Sequence, residues 1–171
     1  MKCNTCDYRM YMIMKTVQRD QIITIAATLK VAGKVVVFTN GCFDLLHSGH
    51  VRYLAAARRL GDCLIVGLNS DKSIRRLKGM TRPINGQEDR AEVLSALAAV
   101  DYVVIFDDHI AAGLVAAIKP DIYVKGGDYR IEDIPETQAV SSYGGKTMLI
   151  PLVPGRSSSN IINKIVNKIP T

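Results

Sequence analysis

Short apolar runs alternate with amphipathic segments along this chain. The runs at residues 35–38 and 64–68 are typical of strands buried on both faces, whereas residues 16–32 repeat apolar positions at the spacing of a helix. The predicted strands cover residues 34–39, 64–68, 102–106, 122–124 and 147–150, and the predicted helices cover residues 16–32, 50–60, 88–100, 110–118 and 159–169. This alternation indicates an α/β fold, a doubly wound five-stranded parallel sheet with helices on both faces.

No linker or internal repeat divides this pattern, and 171 residues is the length of one domain. We therefore expect a single domain over residues 16–171, preceded by a leader over residues 1–15. In such sheets, ligands bind outside the carboxyl ends of the strands, where the strand order switches. The residues that follow each strand are the candidates for function.

The segment after the first strand combines a turn with a helix start. Asn40 and Gly41 form the turn, and a helix opens near His50, where free N–H groups and the helix dipole favour phosphate. Gly41 and Gly49 leave room for a polyphosphate against the backbone. His47 and His50 are three residues apart, so a helical turn places both imidazoles on one side. A pair of histidines flanking a glycine at such a junction favours a functional role over a structural one.

A second candidate phosphate site precedes the last predicted helix. Gly155 and Arg156 are followed by three serines, Ser157, Ser158 and Ser159, which fit a helix N-cap with a guanidinium beside it. An ordinary N-cap explains the serines equally well, so this segment alone does not decide between binding and structure.

Two further loops carry candidate groups. A basic segment follows the second strand, and Gly79 and Pro83 predict a mobile lid in which Lys78 and Arg82 reach over substrate phosphates. Arg75 and Arg76 in the same segment fit a solvated surface better. Arg90 fits either a phosphate contact or a helix-capping ion pair.

The loop after the fourth strand contains Lys125, Gly126, Gly127 and Asp128. Consecutive glycines there allow close backbone approach to a base or ribose, and Asp128 is placed to accept a hydroxyl hydrogen bond.

The amino-acid composition narrows the classes of partner that the protein is expected to bind. The net charge of +6 favours phosphorylated metabolites, nucleic acid or an anionic membrane, but aromatic residues make up only 6% and Trp is absent, which weakens a nucleic-acid platform. No window approaches 18 uninterrupted apolar residues, so we expect a soluble, cytoplasmic protein. Cys3 and Cys6 form a lone C-x-x-C in the leader, and we expect this pair to be incidental.

The segment ending in H-S-G-H resembles the signature of the HxGH nucleotidylyltransferase superfamily. Its wider context includes N-G-C-F-D-L-L-H-S-G-H, R-L-K-G-M-T-R-P-I-N, V-K-G-G-D-Y and G-R-S-S-S, in one order over residues 33–167. This series is similar to the D-glycero-β-D-manno-heptose 1-phosphate adenylyltransferase family. The resemblance implies a Rossmann-like fold and transfer of AMP from ATP to a sugar 1-phosphate, with release of pyrophosphate.

The resemblance also implies roles for matched residues. His47, His50, Lys78 and Arg82 become the expected catalytic groups. The expected nucleotide contacts are Thr39, Asn40, Gly41, Cys42, Phe43, Gly49, Lys125, Gly126, Asp128, Arg156, Ser157, Ser158 and Ser159. Mg²⁺ is expected, held mainly through ATP phosphates and water, with no metal ligand from the protein. A homodimer and a separate sugar kinase are family-level expectations.

Two alternatives remain open from the sequence. One is another transferase of the superfamily, such as a cytidylyltransferase that acts on glycerol 3-phosphate or a similar alcohol phosphate. The other is a non-catalytic module that binds nucleotides or nucleic acid through its basic surface. Pyrophosphate release distinguishes both transferases from the binding module, and the preference for ATP or CTP as substrate distinguishes the two transferases from each other.

Overall fold

A computed structural model describes residues 15–127 and 129–167. Its centre is a five-stranded sheet in which every neighbouring pair of strands is parallel, in the order β3-β2-β1-β4-β5. The strands are β1 (Val36–Gly41), β2 (Cys63–Asn69), β3 (Tyr102–Phe106), β4 (Ile122–Gly126) and β5 (Lys146–Ile150). Each lies where an apolar run predicts it, which confirms the α/β fold class and the doubly wound sheet.

Helices connect the strands. They are α1 (Arg19–Val31), α2 (Ser48–Arg58), α3 (Asp71–Lys78), α4 (Gln87–Ser95), α5 (Ala112–Ile118), α6 (Glu136–Ser141) and α7 (Ser158–Val166), with a 3₁₀ turn at Ile131–Asp133. In the described residues, no helix is long and apolar enough to cross a membrane.

Two apolar clusters cover the two faces of the sheet. Phe38 of β1 packs with Ile22 of α1 and Leu114 of α5 on one face, and Val37 packs with Leu54 of α2 and Leu94 of α4 on the other. Alternate residues of the central strand therefore enter opposite cores, as expected for a strand buried on both sides. This sandwich makes the sheet a rigid support for the loops at its edge.

The strand order reverses beside β1. The chain runs outward from β1 to β2 and β3, and then returns to place β4 on the other side of β1. The loops after β1 and β4 consequently diverge at their carboxyl ends and leave a crevice, the position where open α/β sheets bind ligands.

Residues 71–78 correct one expectation. The prediction of a lid without regular structure is wrong there, because these residues form α3. Ser70 caps the helix by accepting a hydrogen bond from the Ser73 amide at 3.1 Å, and Ile74 is fully buried. Arg75, Arg76 and Lys78 thus lie on the last turns of a helix, where cations are favourable.

The N-terminal boundary also differs from the expectation. Thr16 forms an isolated parallel bridge with Val103 at the edge of the sheet, where the Val17 amide donates to the Val103 carbonyl at 2.9 Å. Helix α1 begins only at Arg19, after Gln18 forms a capping box with Gln21. The expectations for Cys3, Cys6, most of the leader and Asp128 lie outside the described residues.

Candidate active site at the switch in strand order

A cavity of about 270 Å³ occupies the crevice at the carboxyl ends of β1 and β4. It collects most of the residues expected from the sequence, although they come from four separate parts of the chain. Its lining includes Asn40, Cys42, Phe43, His47, Gly49, His50, Lys78, Lys125, Gly126, Arg156, Ser157, Ser158 and Ser159, together with Tyr53, Leu152 and Val153. The first turns of α2 and α7 both face this space.

The two histidines begin helix α2. His47 is the N-cap, and its Nδ1 accepts a hydrogen bond from the Gly49 amide at 3.1 Å. That bond leaves the proton of a neutral imidazole on Nε2, away from the backbone. The ring of His50 stacks on the ring of His47 with 3.9 Å between centroids. Both rings therefore lie on one side of the first turn, as their spacing predicts.

Phe43 supports the His50 ring from the other side. The two rings meet edge to face with 5.2 Å between centroids, and Phe43 is buried. The backbone of Phe43 has a φ of +43°, a left-handed conformation that costs a bulky residue roughly 1–2 kcal/mol. Packing in the apolar cluster beneath α2 offsets this cost, so the strained turn aims an aromatic ring at His50.

Both imidazoles are held in the neutral form. Burial, the neighbouring His47 and the ammonium of Lys78 together lower the pKa of His50 to about 4, and burial is the largest of these causes. Burial and the nearby Arg156 guanidinium also lower the pKa of His47. The Nδ1 atom of His50 is buried and has no hydrogen-bond partner within the described residues. An anion in the cavity would stabilise a proton on this ring.

Gly49 lets the two helix starts approach each other. A Cβ on Gly49 would lie 2.8 Å from Nδ1 of His47 and 3.1 Å from Cβ of Arg156. A side chain at this position would therefore push the α7 approach away from His47. Glycine is required here for close packing.

The α7 tip completes a second amide-rich wall. Ser157 is the N-cap and accepts from the Asn160 amide at 3.0 Å, and Ser158 donates to the Leu45 carbonyl at 2.9 Å. The Ser158 bond ties α7 to the loop that carries His47. Two serine hydroxyls are thus committed to structure, and Ser159 together with the first amides of α7 faces an incoming anion.

Strand β4 supplies the opposite wall. Lys125 and Gly126 end the strand, and a Cβ on Gly126 would lie 3.1 Å from the Tyr53 ring and 3.0 Å from Leu152. Tyr53 is buried, and its hydroxyl donates to the Val124 carbonyl at 3.1 Å and lies 2.6 Å from the Thr39 hydroxyl. Tyr53 therefore links β1 to β4 beneath the cavity.

Three expected site residues do not line the cavity. Thr39 is fully buried against Tyr53, and Gly41 lies at the end of β1 beneath the Phe43 ring. Arg82 is turned away because its Nε donates to the Asp44 carboxylate at 2.6 Å. The side chain of Arg82 is only 13% exposed, so it holds residues 82–85 against the loop after β1.

Asp44 and Arg90 organise this loop from behind. The Asp44 carboxylate also accepts the amides of Ile84 and Asn85; burial raises its pKa, but these bonds and Arg82 outweigh burial and keep the pKa below its ordinary value. The fully buried Arg90 is not available to a phosphate, since its guanidinium donates to backbone carbonyls and pairs with Asp71. The only feature of the sequence that points to this role of Asp44 is its position directly after Phe43 in the segment that follows Cys42.

The cavity is positive. Lys78, Lys125 and Arg156 line it, and no Asp or Glu does so among the described residues. Likewise, the described part of the chain holds no cluster of three or more His, Cys, Asp or Glu side chains arranged for a metal ion. Two helix starts, three cations and two neutral imidazoles suit a polyphosphate that brings its own counterion.

Comparison with known proteins assigns the chain to a family and identifies relatives. The cytidylyltransferase-like family matches residues 38–164. The bifunctional protein HldE of Syntrophotalea carbinolica is 57% identical over 136 residues, which are 80% of this chain and 28% of that protein. The HldE protein of Geobacter sulfurreducens is 54% identical over 147 residues, 86% of this chain and 30% of that protein. The chain thus spans less than a third of the length of these curated relatives.

Solved structures agree on the fold. The lipopolysaccharide core biosynthesis protein of Thermoplasma volcanium is 29% identical with a TM-score of 0.59, covering 71% of this chain and 98% of that one. A pantoate–β-alanine ligase of Francisella tularensis, 16% identical with a TM-score of 0.58, covers 90% of this chain and 79% of its own and shares the fold alone. With most of its length matched, the chain belongs to the cytidylyltransferase-like family, which confirms the nucleotidylyltransferase resemblance of its H-S-G-H segment.

Proposed function

We propose that this protein transfers AMP from MgATP to a sugar 1-phosphate, D-glycero-β-D-manno-heptose 1-phosphate. An oxygen of the sugar phosphate attacks the α-phosphorus, the bond from that phosphorus to the oxygen bridging to the β-phosphate breaks, and pyrophosphate leaves. The observation that carries the proposal is the convergence of the stacked His47 and His50 with the α7 start on one positive cavity. The motif series that resembles the heptose branch supports the choice of acceptor.

The proposed reaction does not require a strong general base. A sugar phosphate is already an anion at neutral pH, so catalysis comes from alignment and from stabilising charge on the departing pyrophosphate. Amides at the starts of α2 and α7 bind the triphosphate, and His47 and His50 donate to oxygens that gain charge. Lys78 at the end of α3 and Lys125 of β4 also line the cavity. Magnesium would accompany the nucleotide, held mainly through its phosphates and water, and would offset charge on the departing pyrophosphate.

A pyrophosphate-release assay tests the function. ATP and CTP are each paired with both anomers of heptose 1-phosphate, with glucose 1-phosphate and with glycerol 3-phosphate. We expect the highest kcat/KM for ATP with the β-anomer, and a new ADP-sugar by mass spectrometry. Pyrophosphate release in the absence of an acceptor, or no pyrophosphate release with any pair of nucleotide and acceptor, contradicts nucleotidyl transfer to a sugar.

A cytidylyltransferase is the second candidate, because the matched family is described as cytidylyltransferase-like. Preference for CTP with glycerol 3-phosphate in the same assay selects it. A non-catalytic module would instead bind nucleotide or nucleic acid without pyrophosphate release, and binding to nucleic acid would weaken steeply with salt.

The proposed reaction carries further expectations about partners. ATP and sugar phosphates are cytoplasmic metabolites, which supports a cytoplasmic location. We expect the acceptor to be supplied by a sugar kinase, and we expect the protein to act as a homodimer. Sedimentation of the purified protein tests the dimer.

Binding of nucleotide should take up a proton at His50. The low pKa of the free ring, about 4, leaves it neutral, whereas bound phosphates attract a proton against the repulsion of His47 and Lys78. Because the bound state has the higher pKa, affinity rises as pH falls below neutrality. A return of the pKa to about 6.5 predicts roughly twentyfold tighter binding at pH 5 than at pH 7.

Titration calorimetry measures this uptake. The magnesium complex of α,β-methylene-ATP is titrated in two buffers of different ionisation enthalpy, and the difference gives the number of protons. His50→Asn keeps a polar side chain that does not titrate and should abolish the uptake. Equal uptake in wild type and variant would assign the proton to another group.

A further inference from the structure

A buried glutamate lies behind the wall of the cavity. Glu136, the first residue of α6, is 2% exposed although it carries a carboxylate. One carboxylate oxygen accepts from the Ala111 amide at 3.1 Å, and the other has no hydrogen-bond partner among the described residues. A buried charge costs several kcal/mol unless it is compensated. The cation that compensates it is Lys125, whose Nζ lies 3.8 Å from the Glu136 carboxylate.

Lys125 connects this pair to the cavity. Its side chain is 26% exposed and lines the cavity, and its Nζ donates to the Tyr123 hydroxyl at 3.2 Å. Tyr123 in turn donates to Oδ1 of Asn40 at 2.8 Å, and Asn40 lines the same cavity. Burial and the Glu136 carboxylate raise the pKa of Tyr123, so this hydroxyl stays protonated and remains a donor.

The chain of contacts spans the switch in strand order. Tyr123 and Lys125 belong to β4 and Asn40 to β1, so the polar groups on both sides of the crevice depend on one another. Glu136 comes from α6, outside the sheet, and does not itself line the cavity. For stability alone, a buried ion pair is no better than apolar side chains of similar volume. Its value here lies in where it holds the ammonium group.

We propose that Glu136 is a positioning residue for nucleotidyl transfer, which fixes Lys125, and through Tyr123 also Asn40, at the wall of the cavity. This inference rests on the proposed function. The carboxylate restrains the ammonium before substrate binds and offsets part of its charge. The Lys125 ammonium group is therefore already in place when the substrate phosphate binds to it beside the Glu136 carboxylate.

Glu136→Gln separates position from shape. The amide keeps the volume and an oxygen for the Ala111 amide, but it loses the charge that restrains Lys125. Lys125 keeps its full attraction for the triphosphate, so we expect the KM for MgATP to stay unchanged or fall. Because the ammonium is no longer held in place, we expect kcat to drop about tenfold. A structural role alone would lower the folded fraction and would not lower KM.

Two further variants complete the experiment. In a Lys125→Met background, Glu136→Gln should change kcat less than twofold, because the group that it positions is gone. Glu132→Gln is the matched control, since Glu132 is exposed and, among the residues that the structure describes, pairs only with the exposed Arg130. Should Glu136→Gln fail to fold, Tyr123→Phe decides, because it removes the hydroxyl between Lys125 and Asn40 and should show the same fall in kcat.

The outcomes separate this inference from the proposed function. The positioning role alone is overturned in either of two cases in which the wild-type protein is active. In the first, the kcat of Glu136→Gln lies within twofold of wild type. In the second, the effects of Glu136→Gln and Lys125→Met on kcat multiply in the double variant. Absence of wild-type turnover overturns the proposed function and this inference with it.

Discussion

Replacement of His50 by alanine is expected to lower the kcat for AMP transfer about 10²- to 10³-fold, the loss typical of removing one preorganised donor to developing charge. His50 touches the cavity, stacks on His47 at 3.9 Å between centroids and has a buried Nδ1 without a partner in the described structure. Alanine leaves the stack and the proton site empty, while the α2 cap on His47 and the core beneath α2 persist. The thermal midpoint should therefore change little.

Single-turnover and steady-state rates with MgATP and the preferred acceptor measure this effect. His109→Ala is the matched control, because His109 is exposed and is absent from the cavity lining. It should retain wild-type kcat. A His50→Ala kcat within threefold of wild type would remove His50 from the catalytic assignment.

Replacement of Arg90 by methionine is expected to destabilise the fold by about 3–5 kcal/mol, the cost of removing one partner from a buried charge network. The guanidinium donates to the carbonyls of Cys42 at 2.7 Å and Asn69 at 2.9 Å, and to the Asp71 carboxylate at 2.7 Å. It thereby joins the ends of β1 and β2 to the start of α3. Methionine fills the volume but leaves these three acceptors, of which the Asn69 carbonyl is buried, without their donor.

Urea unfolding measures the loss, which is a large part of the 5–15 kcal/mol that typically stabilises a domain. Arg90→Lys should recover only a fraction, because an ammonium cannot reproduce the fork of a guanidinium. Arg76→Met on the exposed face of α3 is the control and should change the free energy of unfolding by less than about 0.5 kcal/mol. A loss below about 1 kcal/mol for Arg90→Met would show that water replaces the guanidinium.

Two of the arginines that the sequence offered as phosphate contacts show where prediction stopped. Arg82 stands in a basic, loop-like stretch and Arg90 near the start of a predicted helix, and nothing local shows that either side chain is withdrawn from a phosphate while Lys78 is not. Their partners decide the matter, since Asp44 lies 38 residues before Arg82 and Asp71 lies 19 residues before Arg90. These carboxylates withdraw both guanidinium groups from the cavity, whereas Lys78 at the end of α3 remains at its wall.

Helix α3 and Glu136 show the same limit in other forms. The segment Asp71–Lys78 is mostly charged, so its pattern resembled a lid, but one buried Ile74 and the Ser70 cap suffice for a helix packed on β2. Glu136 is surrounded in sequence by residues typical of a surface loop. Its burial follows from the packing of α6 against α5 and β5, which sequence periodicity does not report.

By itself, the sequence determined the order of the five strands and of all helices except α3 and α6, the α/β class, the turn and helix start around His47 and His50, and the serine-rich start of α7. These features follow from contacts between residues a few positions apart, such as periodic apolar side chains and helix caps, and therefore leave a local pattern. Only the tertiary structure decided which cations face the cavity and which are paired behind it. Those partners are far apart in the chain and meet because the parallel sheet brings its strand ends to one edge.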